Sequence, residues 1–588
     1  MAQPIIPLIP GDPAAQAALE RPQTPRWVDV LMLALVTAAG YGVLRATMTW
    51  RMPLAQGTRV SLDIWHLPLY AGMSTLRMAL AYVLSLVFSL AYAKIAAASR
   101  TAERFMLPLL DILQSIPILF FLPPFVLGLA ALFPGRTIGL ELAAILLIFT
   151  SQAWNMTFSF HQSLLTIPQE LKEASTVYQL APWRRFTRLE LPFGAISLIA
   201  NSMMSWAGGW FFLIAAEAFQ MGDKNFELPG LGSYLKETGD GDHNMAFAAG
   251  LVTLVVVIVA LDQVLWRPLV AWSDRFKIEQ SGAGDVPRSW ALDLLDGSAL
   301  VQWLMAKVFR PAGQAIDNVL SRPLPRARRV LAAPVVESWG RRVRDWGLIV
   351  VVLGLIAWGA LEAVKELVGI PGAQWRNIWV SAGATFLRTT IAMLLAALWT
   401  VPVGVAIGMN PRWAARAQSI VQVVASVPAT AVFPVLLIVL IGFPGGVSIG
   451  AVLLMLLGTQ WYVLFNVIAG AMAIPSDLRE AAVTYKVTGW RRWRTLILPA
   501  IFPYLVTGML TATGGAWNAS VVAEWVTVPH HGTYSTVGLG ALITQASDKH
   551  DFPMLLAGTL VLCAIVITGN RLVWRRLYAL AATRYRLD

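Results

Sequence analysis

Apolar residues run along this chain in stretches of about 20, the length a helix needs to cross the hydrocarbon of a bilayer. They fall near Val28 to Thr47, Thr75 to Ile95, Phe105 to Leu132, Thr137 to Phe160, Pro192 to Phe219 and Met245 to Trp266. A second series lies near Trp346 to Val364, Thr385 to Gly408, Ile420 to Ile441, Val447 to Ala469, Pro499 to Val526 and Phe552 to Val573. Backbone N–H and C=O groups in lipid must be satisfied within the segment, so each stretch is read as a helix. The pattern predicts an all-α polytopic membrane protein of about 12 transmembrane helices, divided evenly between two units.

The polar segments complete the organisation. Residues 1–27 form a cytoplasmic N-terminal segment, because Asp12, Glu20 and its prolines do not make the basic start and short apolar core of a secretory signal. The first unit covers 28–270 and the second 345–576, with a cytoplasmic tail at 577–588. Between the units, 271–344 is a basic linker whose Arg326, Arg328, Arg329, Arg341, Arg342 and Arg344 place it in the cytoplasm by the positive-inside rule. Within it, Leu292 to Arg310 alternates charged and apolar residues at near-helical spacing. That segment is either an amphipathic helix on the membrane surface or a linker helix packed on its own protein.

The two units are related in sequence. At a constant offset of 307, Ile167, Pro168, Glu173, Ala174, Tyr178, Trp183, Arg184, Arg185, Pro192, Trp210 and Glu217 meet Ile474, Pro475, Glu480, Ala481, Tyr485, Trp490, Arg491, Arg492, Pro499, Trp517 and Glu524. Arg77 and Pro117 meet Arg388 and Pro428 at an offset of 311. Both units enter the membrane in the same orientation, the parallel duplication that gives a pseudo-two-fold axis along the membrane normal.

Composition narrows the function. Hydrophobic residues make up 57% and charged residues 13% of the 588, far from the balance of a soluble enzyme. The net charge of +12 sits at span ends and in the linker, which argues against nucleic acid as a partner and for the bilayer. The single cysteine, Cys563, excludes disulfide frameworks and cysteine-rich metal sites. His530 and His531 have no counterpart in the first unit, and no metal site is expected there. No phosphate-binding G-x-x-x-x-G-K-[ST] loop occurs, so the chain is not expected to bind ATP or act as an enzyme.

The most informative segments are two matching polar loops, IPQELKEASTVYQLAPWRRFTRLELP at 167–192 and IPSDLREAAVTYKVTGWRRWRTLILP at 474–499. Each reads as a short helix, a break at Ala181-Pro182 or Thr488-Gly489, and a second helix ending at Leu-Pro. A repeated polar loop carrying the same surface residues suits a docking surface. These segments resemble the EAA loop of permease subunits of ATP-binding-cassette importers, in which Leu-Pro follows nineteen residues after the Glu. Glu173 to Pro192 and Glu480 to Pro499 keep that spacing. Stretches around TLR, SIP or SVP, WYVLFN and GGAWNASVVAE make the chain most similar to the nitrate, sulfonate, taurine and bicarbonate type.

The resemblance implies the type I permease fold and coupling to an ATPase through Glu173, Ala174, Ser175, Gln179, Trp183, Arg184 and Arg185, with Glu480, Ala481, Ala482, Lys486, Gly489, Trp490, Arg491 and Arg492 in the second loop. Gln179 and Lys486 stand where the family pattern has Gly, and Ser175 replaces an Ala. It further implies two copies of a separate cytoplasmic ATPase that hold ATP and Mg, an extracytoplasmic binding protein, the bacterial inner membrane with both termini cytoplasmic, and import of a small oxyanion. An exporter permease and a twelve-span secondary transporter are the alternative readings.

Candidates for the translocation path lie in the fifth span of each unit: Gly208, Gly209, Trp210 and Glu217, and Gly514, Gly515, Trp517, Asn518 and Glu524. Paired glycines permit close backbone approach or a broken helix. The tryptophans fit either packing or a ligand platform. The glutamates fit either substrate contact or pairing with Arg77 and Arg388, which begin the second spans on the same outer side.

Overall fold

The computed structural model describes residues 60–115, 131–221, 224–240, 243–273, 290–320, 357–410, 429–528, 532–549 and 551–584, with scattered positions between them. The expected span at 28–47 lies almost wholly outside the described residues, as do parts of those at 105–132, 346–364 and 420–441, and His530 with His531. Among the described residues, 8 helices are long and apolar enough to cross a bilayer.

In the first unit these are built on α1 (Leu67–Ala97), α2 (Ile138–Thr166) and α3 (Leu191–Glu217), followed by a β1–β2 hairpin (Ala218–Met221, Lys224–Glu227), a short helix α4 (Leu231–Asp240) and α5 (Asn244–Leu261). The second unit repeats the order with α6 (Gly372–Gly408), α7 (Gly446–Met472), α8 (Leu498–Glu524), the β3–β4 hairpin (Trp525–Val528, Gly532–Ser535), α9 (Leu539–Asp548) and α10 (Phe552–Gly569). In each, the second and fourth expected spans pack on one another, and the fourth packs on the fifth. The helix Ala429–Ile441 of the second unit leans on α3 and α4 of the first, and Arg100–Ser115 of the first touches α10 of the second. The units thereby exchange contacts through their third expected spans.

Three differences from the apolar pattern have physical causes. Helices α1 and α6 begin well before Thr75 and Thr385, at Leu67 and Gly372. Apolarity reports the part of a helix that lies in lipid, whereas its start is set by Pro68 in the first turn and by the extended Pro371 ahead of the other. Second, the polar segments after the fifth spans are not simple loops. Ala218 pairs with Glu227 and Trp525 with Ser535 in antiparallel hairpins, and α4 and α9 then turn back into the bundle. Leu231, Tyr234 and Leu235 on α4 and Leu539 and Ile543 on α9 are buried, which is the one-sided spacing of a short amphipathic helix.

Third, the polar loops at 167–192 and 474–499 do not end in a helix that stops at Leu-Pro. From Pro182 to Glu217 and from Gly489 to Glu524 the chain is one helix of 36 residues in each unit. Proline lacks an N–H and its ring collides with the carbonyl four residues back. In both units a π-helical turn, Phe186–Glu190 or Trp493–Ile497, ends two residues before the proline and widens the helix there. Pro268 and Pro311 follow π turns at Asp262–Trp266 and Met305–Phe309 at the same distance.

The short helices Gln169–Val177 and Ser476–Thr484 end in matching turns. Leu180 N–H reaches back to Ser175 O at 3.1 Å and Val487 N–H to Ala482 O at 2.8 Å, closing Schellman-type ends. The residues that pass through left-handed backbone are Gln179 (φ 48°) and Lys486 (φ 50°), the two positions where the sequence departs from Gly. A side chain there costs on the order of 1 kcal/mol relative to glycine. Gln179→Gly and Lys486→Gly are therefore each expected to raise the thermal unfolding midpoint of the detergent-solubilised protein, by about 1 kcal/mol in stability. A lowered midpoint in both variants would show that the side chains contribute more than the backbone loses.

Candidate functional site

Each of the two polar loops, at 167–192 and 474–499, presents one face and hides another. Ser175 and Ala482 are buried toward the bundle, and Ser175 Oγ donates to Lys172 O at 2.6 Å, so its hydroxyl is satisfied where an alanine would need nothing. Glu173 and Glu480 are exposed, Glu173 accepting from Gln169 Nε2 at 3.2 Å. Tyr178 and Tyr485 stand 77% and 80% exposed, with Val177 and Val483 beside them. A tyrosine held in water at the same place on both loops, with an exposed valine nearby, forms a pair of surfaces suited to a partner. The loop alignment contains both tyrosines, but charge patterning drew attention to the glutamates instead.

Behind the surfaces, Arg184 and Arg491 are exposed, while Arg185 lies 3.2 Å from Glu190. Glu190 is buried and also pairs with Lys94 on α1. The corresponding place in the second unit is Ile497, buried among apolar side chains with Val405. Trp183 is half-buried and stacks near Phe186, whereas Trp490 is 73% exposed. Ala174 and Ala481 are half-buried, and Gly489 takes φ 52° at the break between the two helical pieces.

At the opposite end of the bundle, the two glutamates that close the fifth spans are fully buried and paired. Glu217 accepts from Arg77 Nη1 and Ser74 Oγ, both at 2.6 Å, and from Gly232 N–H at 2.7 Å. Glu524 accepts from Arg388 Nη1, Thr385 Oγ1 and Gly540 N–H, each at 2.8 Å. The amides belong to the first turns of α4 and α9, where backbone N–H groups have no helical partner and favour an anion. Leu231 N–H and Leu539 N–H in turn donate to Ser74 and Thr385 at 2.9 and 2.8 Å. Gly230 and Gly538 lie so close to the carboxylates that a Cβ at either would collide with them.

Arg77 has a second carboxylate. Its Nε and Nη2 form a bidentate pair with Glu141 on α2 at 2.6 and 2.7 Å, the geometry that suits a planar guanidinium best. In the second unit Ser448 occupies the equivalent position, and Arg388 Nη2 donates to Ser448 Oγ at 3.3 Å and Thr536 Oγ1 at 2.8 Å. Of the two readings of these charges, the structure forms the pairs. Arg77, Glu217 and Glu524 are buried, and Arg388 is half-buried, among the elements they join. Glu141 was not legible as a partner, since it matches only a serine in the repeat.

The fifth-span aromatic and glycine candidates divide. Trp210 and Trp517 are buried in the cores of their own units. Gly209 meets Met78 and Gln152, Gly515 meets Thr459, and Asn518 Nδ2 donates to Gly514 O at 3.1 Å. Gly208 alone among the candidates reaches a cavity between the units, whose wall includes Phe211, Ala429, Trp461, Tyr462 and Phe465. A Cβ at Gly208 would stand 2.6 Å from Tyr462 Oη, so the glycine permits the tyrosine of the other unit to approach. No charged side chain lines the cavity among the described residues.

Removing one partner from a buried ion pair leaves an uncompensated charge, a loss of about 3–5 kcal/mol. Arg77→Ala, which strands two carboxylates, is expected to lower the unfolding midpoint in detergent more than Arg388→Ala, which strands one. Glu141→Ser, which copies the second unit, is expected to be milder than either. A midpoint for Arg77→Ala equal to that of the unsubstituted protein would refute the assigned role of the pair.

Residues 85–265 and 400–586 both match the family described as the binding-protein-dependent transport system inner membrane component. Among individual proteins, the chain is 26% identical over 220 residues to the taurine transport system permease protein of Escherichia coli, covering 37% of this chain and 76% of that one. It is 28% identical over 174 residues to the nitrate import permease protein of Leptolyngbya laminosa (30% and 58%) and 24% identical over 216 residues to the bicarbonate transport system permease protein of Synechococcus elongatus (36% and 74%). Two matches in tandem agree with the repeated helix order and the paired polar loops. The chain belongs to the binding-protein-dependent transport system inner membrane component family, and carries that family's unit twice as the multi-pass permease subunit of an ATP-binding-cassette importer.

Proposed function

We propose that one copy of this chain supplies the whole membrane part of its importer, with the first unit at 28–270 and the second at 345–576 joined by the cytoplasmic linker at 271–344. The observation that carries this reading is the pair of loops with outward-facing Glu173 and Tyr178, and Glu480 and Tyr485, on matching short helices. Each loop takes one copy of a separate ATPase, so two copies serve one chain. ATP and Mg are held by that partner, and the chain acts as a transport subunit without an ATPase site of its own. An extracytoplasmic binding protein delivers the solute to the other side. The protein resides in the bacterial inner membrane with both termini in the cytoplasm, consistent with the basic linker.

The passage runs between the units at the cavity beside Gly208 and Tyr462, on the side of α3 that faces α7. The names of the relatives support a small oxyanion as the solute: nitrate, an organosulfonate or bicarbonate. Closure of the ATPase pair moves the two loops, each continuous with a fifth span, and the fifth span of the first unit borders the cavity.

Affinity purification of the tagged chain in mild detergent is expected to recover an ATPase at two copies per permease. In membranes, Glu173→Lys combined with Glu480→Lys is expected to abolish ATP-driven uptake while the permease remains at its normal level. Uptake retained by that double variant would remove the loops from the coupling role. Uptake of labelled nitrate, taurine and bicarbonate in a strain lacking the gene tests the solute, and unchanged transport of all three would exclude the oxyanion assignment.

A further inference from the structure

The linker holds helices Trp290–Gly297, Ala299–Leu304 and Arg310–Leu320, the last two joined without a break by the π-helical turn Met305–Phe309. Its position is fixed at both ends. Trp290 Nε1 donates to Gln263 Oε1 at 3.3 Å, near the loop-side end of the span Met245–Ser273. Ser298 Oγ and Leu300 N–H both donate to Asp29 Oδ1, at 2.7 and 3.2 Å, and Asp29 stands at the start of the first apolar stretch. At the far end, Asp317 Oδ2 lies 4.0 Å from Arg184 Nε, and the helix touches Pro182–Arg185 of the first docking loop. A helix anchored beside the ends of two apolar segments and reaching a loop that leaves the membrane beside them lies along the membrane surface.

This helix carries apolar side chains that nothing in the described structure covers. Trp303, Val308, Phe309, Ile316, Val319 and Leu320 are between 46% and 63% exposed. On the neighbouring span, Val252, Val256 and Val264 are also exposed, as expected of lipid-facing positions. The polar side of the linker helix carries Lys307 and Arg310, and Arg322, Arg326, Arg328 and Arg329 follow in the sequence. Apolar side chains including a Trp, flanked by basic residues at membrane level, match an interface with anionic lipid.

We propose that Ala299–Leu320 is a lipid-binding helix lying in the bilayer interface on the docking-loop side, with its apolar side chains among the acyl chains and Lys307 and Arg310 on anionic headgroups. Through Asp317 it holds the first docking loop at the membrane surface. The second loop has no matching helix among the described residues, so lipid acts on one docking site only. The proposal rests on the placement of this helix and is independent of which solute is carried.

The test uses the full chain with Cys563→Ala, reconstituted in phosphatidylcholine vesicles with or without phosphatidylglycerol, and a polarity-sensitive dye on Val319→Cys or Gln314→Cys. In the anionic vesicles, the dye at 319 is expected to emit at shorter wavelength, to be quenched by a shallow lipid nitroxide, and to be shielded from aqueous iodide by roughly threefold relative to 314, as for insertion by ~5–10 Å. Lys307→Glu with Arg310→Glu is expected to abolish that shielding. Iodide access at 319 equal to that at 314 would overturn the proposal, as would shielding that arises only after the ATPase is added, which would assign the surface to protein. Shielding unaffected by phosphatidylglycerol and by the charge reversal would overturn the headgroup contact.

Discussion

The carboxylate that ends each fifth span holds the rest of its unit in place. Glu217 and Glu524 each draw together an arginine from the second expected span, a hydroxyl one turn before it, and the free amides of a short helix that returns after the hairpin. A buried charge is tolerated only when its partners nearly surround it. That requirement fixes where α1 sits against α3, how tightly the hairpin turns, and why Gly230 and Gly538 leave no room for a side chain. The hydrophobic effect alone would not set this register, because lipid tails solvate Leu and Val as well as protein does.

Covalent fusion allows the two units to differ. The first unit places Glu141 where the second has Ser448, and joins Lys94 to Glu190 where the second packs Val405 and Ile497 in an apolar cluster. Phe211 faces the cavity in the first unit while its counterpart Asn518 bonds its own helix. Two identical chains could not carry these differences independently. The network around Arg77 holds two carboxylates, that around Arg388 one.

Much of this was legible in the sequence. Apolar length located the 8 spans found among the described residues, the offset of 307 exposed the duplication, and the Glu-to-Pro spacing singled out both polar loops. Pairing of Arg77 with Glu217 was an open alternative, because both carry repeat counterparts at the same end of the bundle. Other features left no trace that apolarity reports. The hairpins are too short to show strand alternation, and the π turns have no composition of their own, although a proline two residues later marks four of them. Trp210 and Trp517 were ambiguous because a helix hydrophobic on every side does not disclose which side faces protein.

The π turns have a mechanical consequence. Had Pro192 and Pro499 broken their helices, a hinge would separate each polar loop from its fifth span. Instead, a rod of 36 residues, about 54 Å at 1.5 Å per residue, runs from Pro182 to Glu217, and its twin runs from Gly489 to Glu524. Each polar loop is thereby joined to the far end of its span by unbroken helix. The far tip of each is the carboxylate clasp, so the polar loop and the joint at the other end of the unit are two ends of one helix.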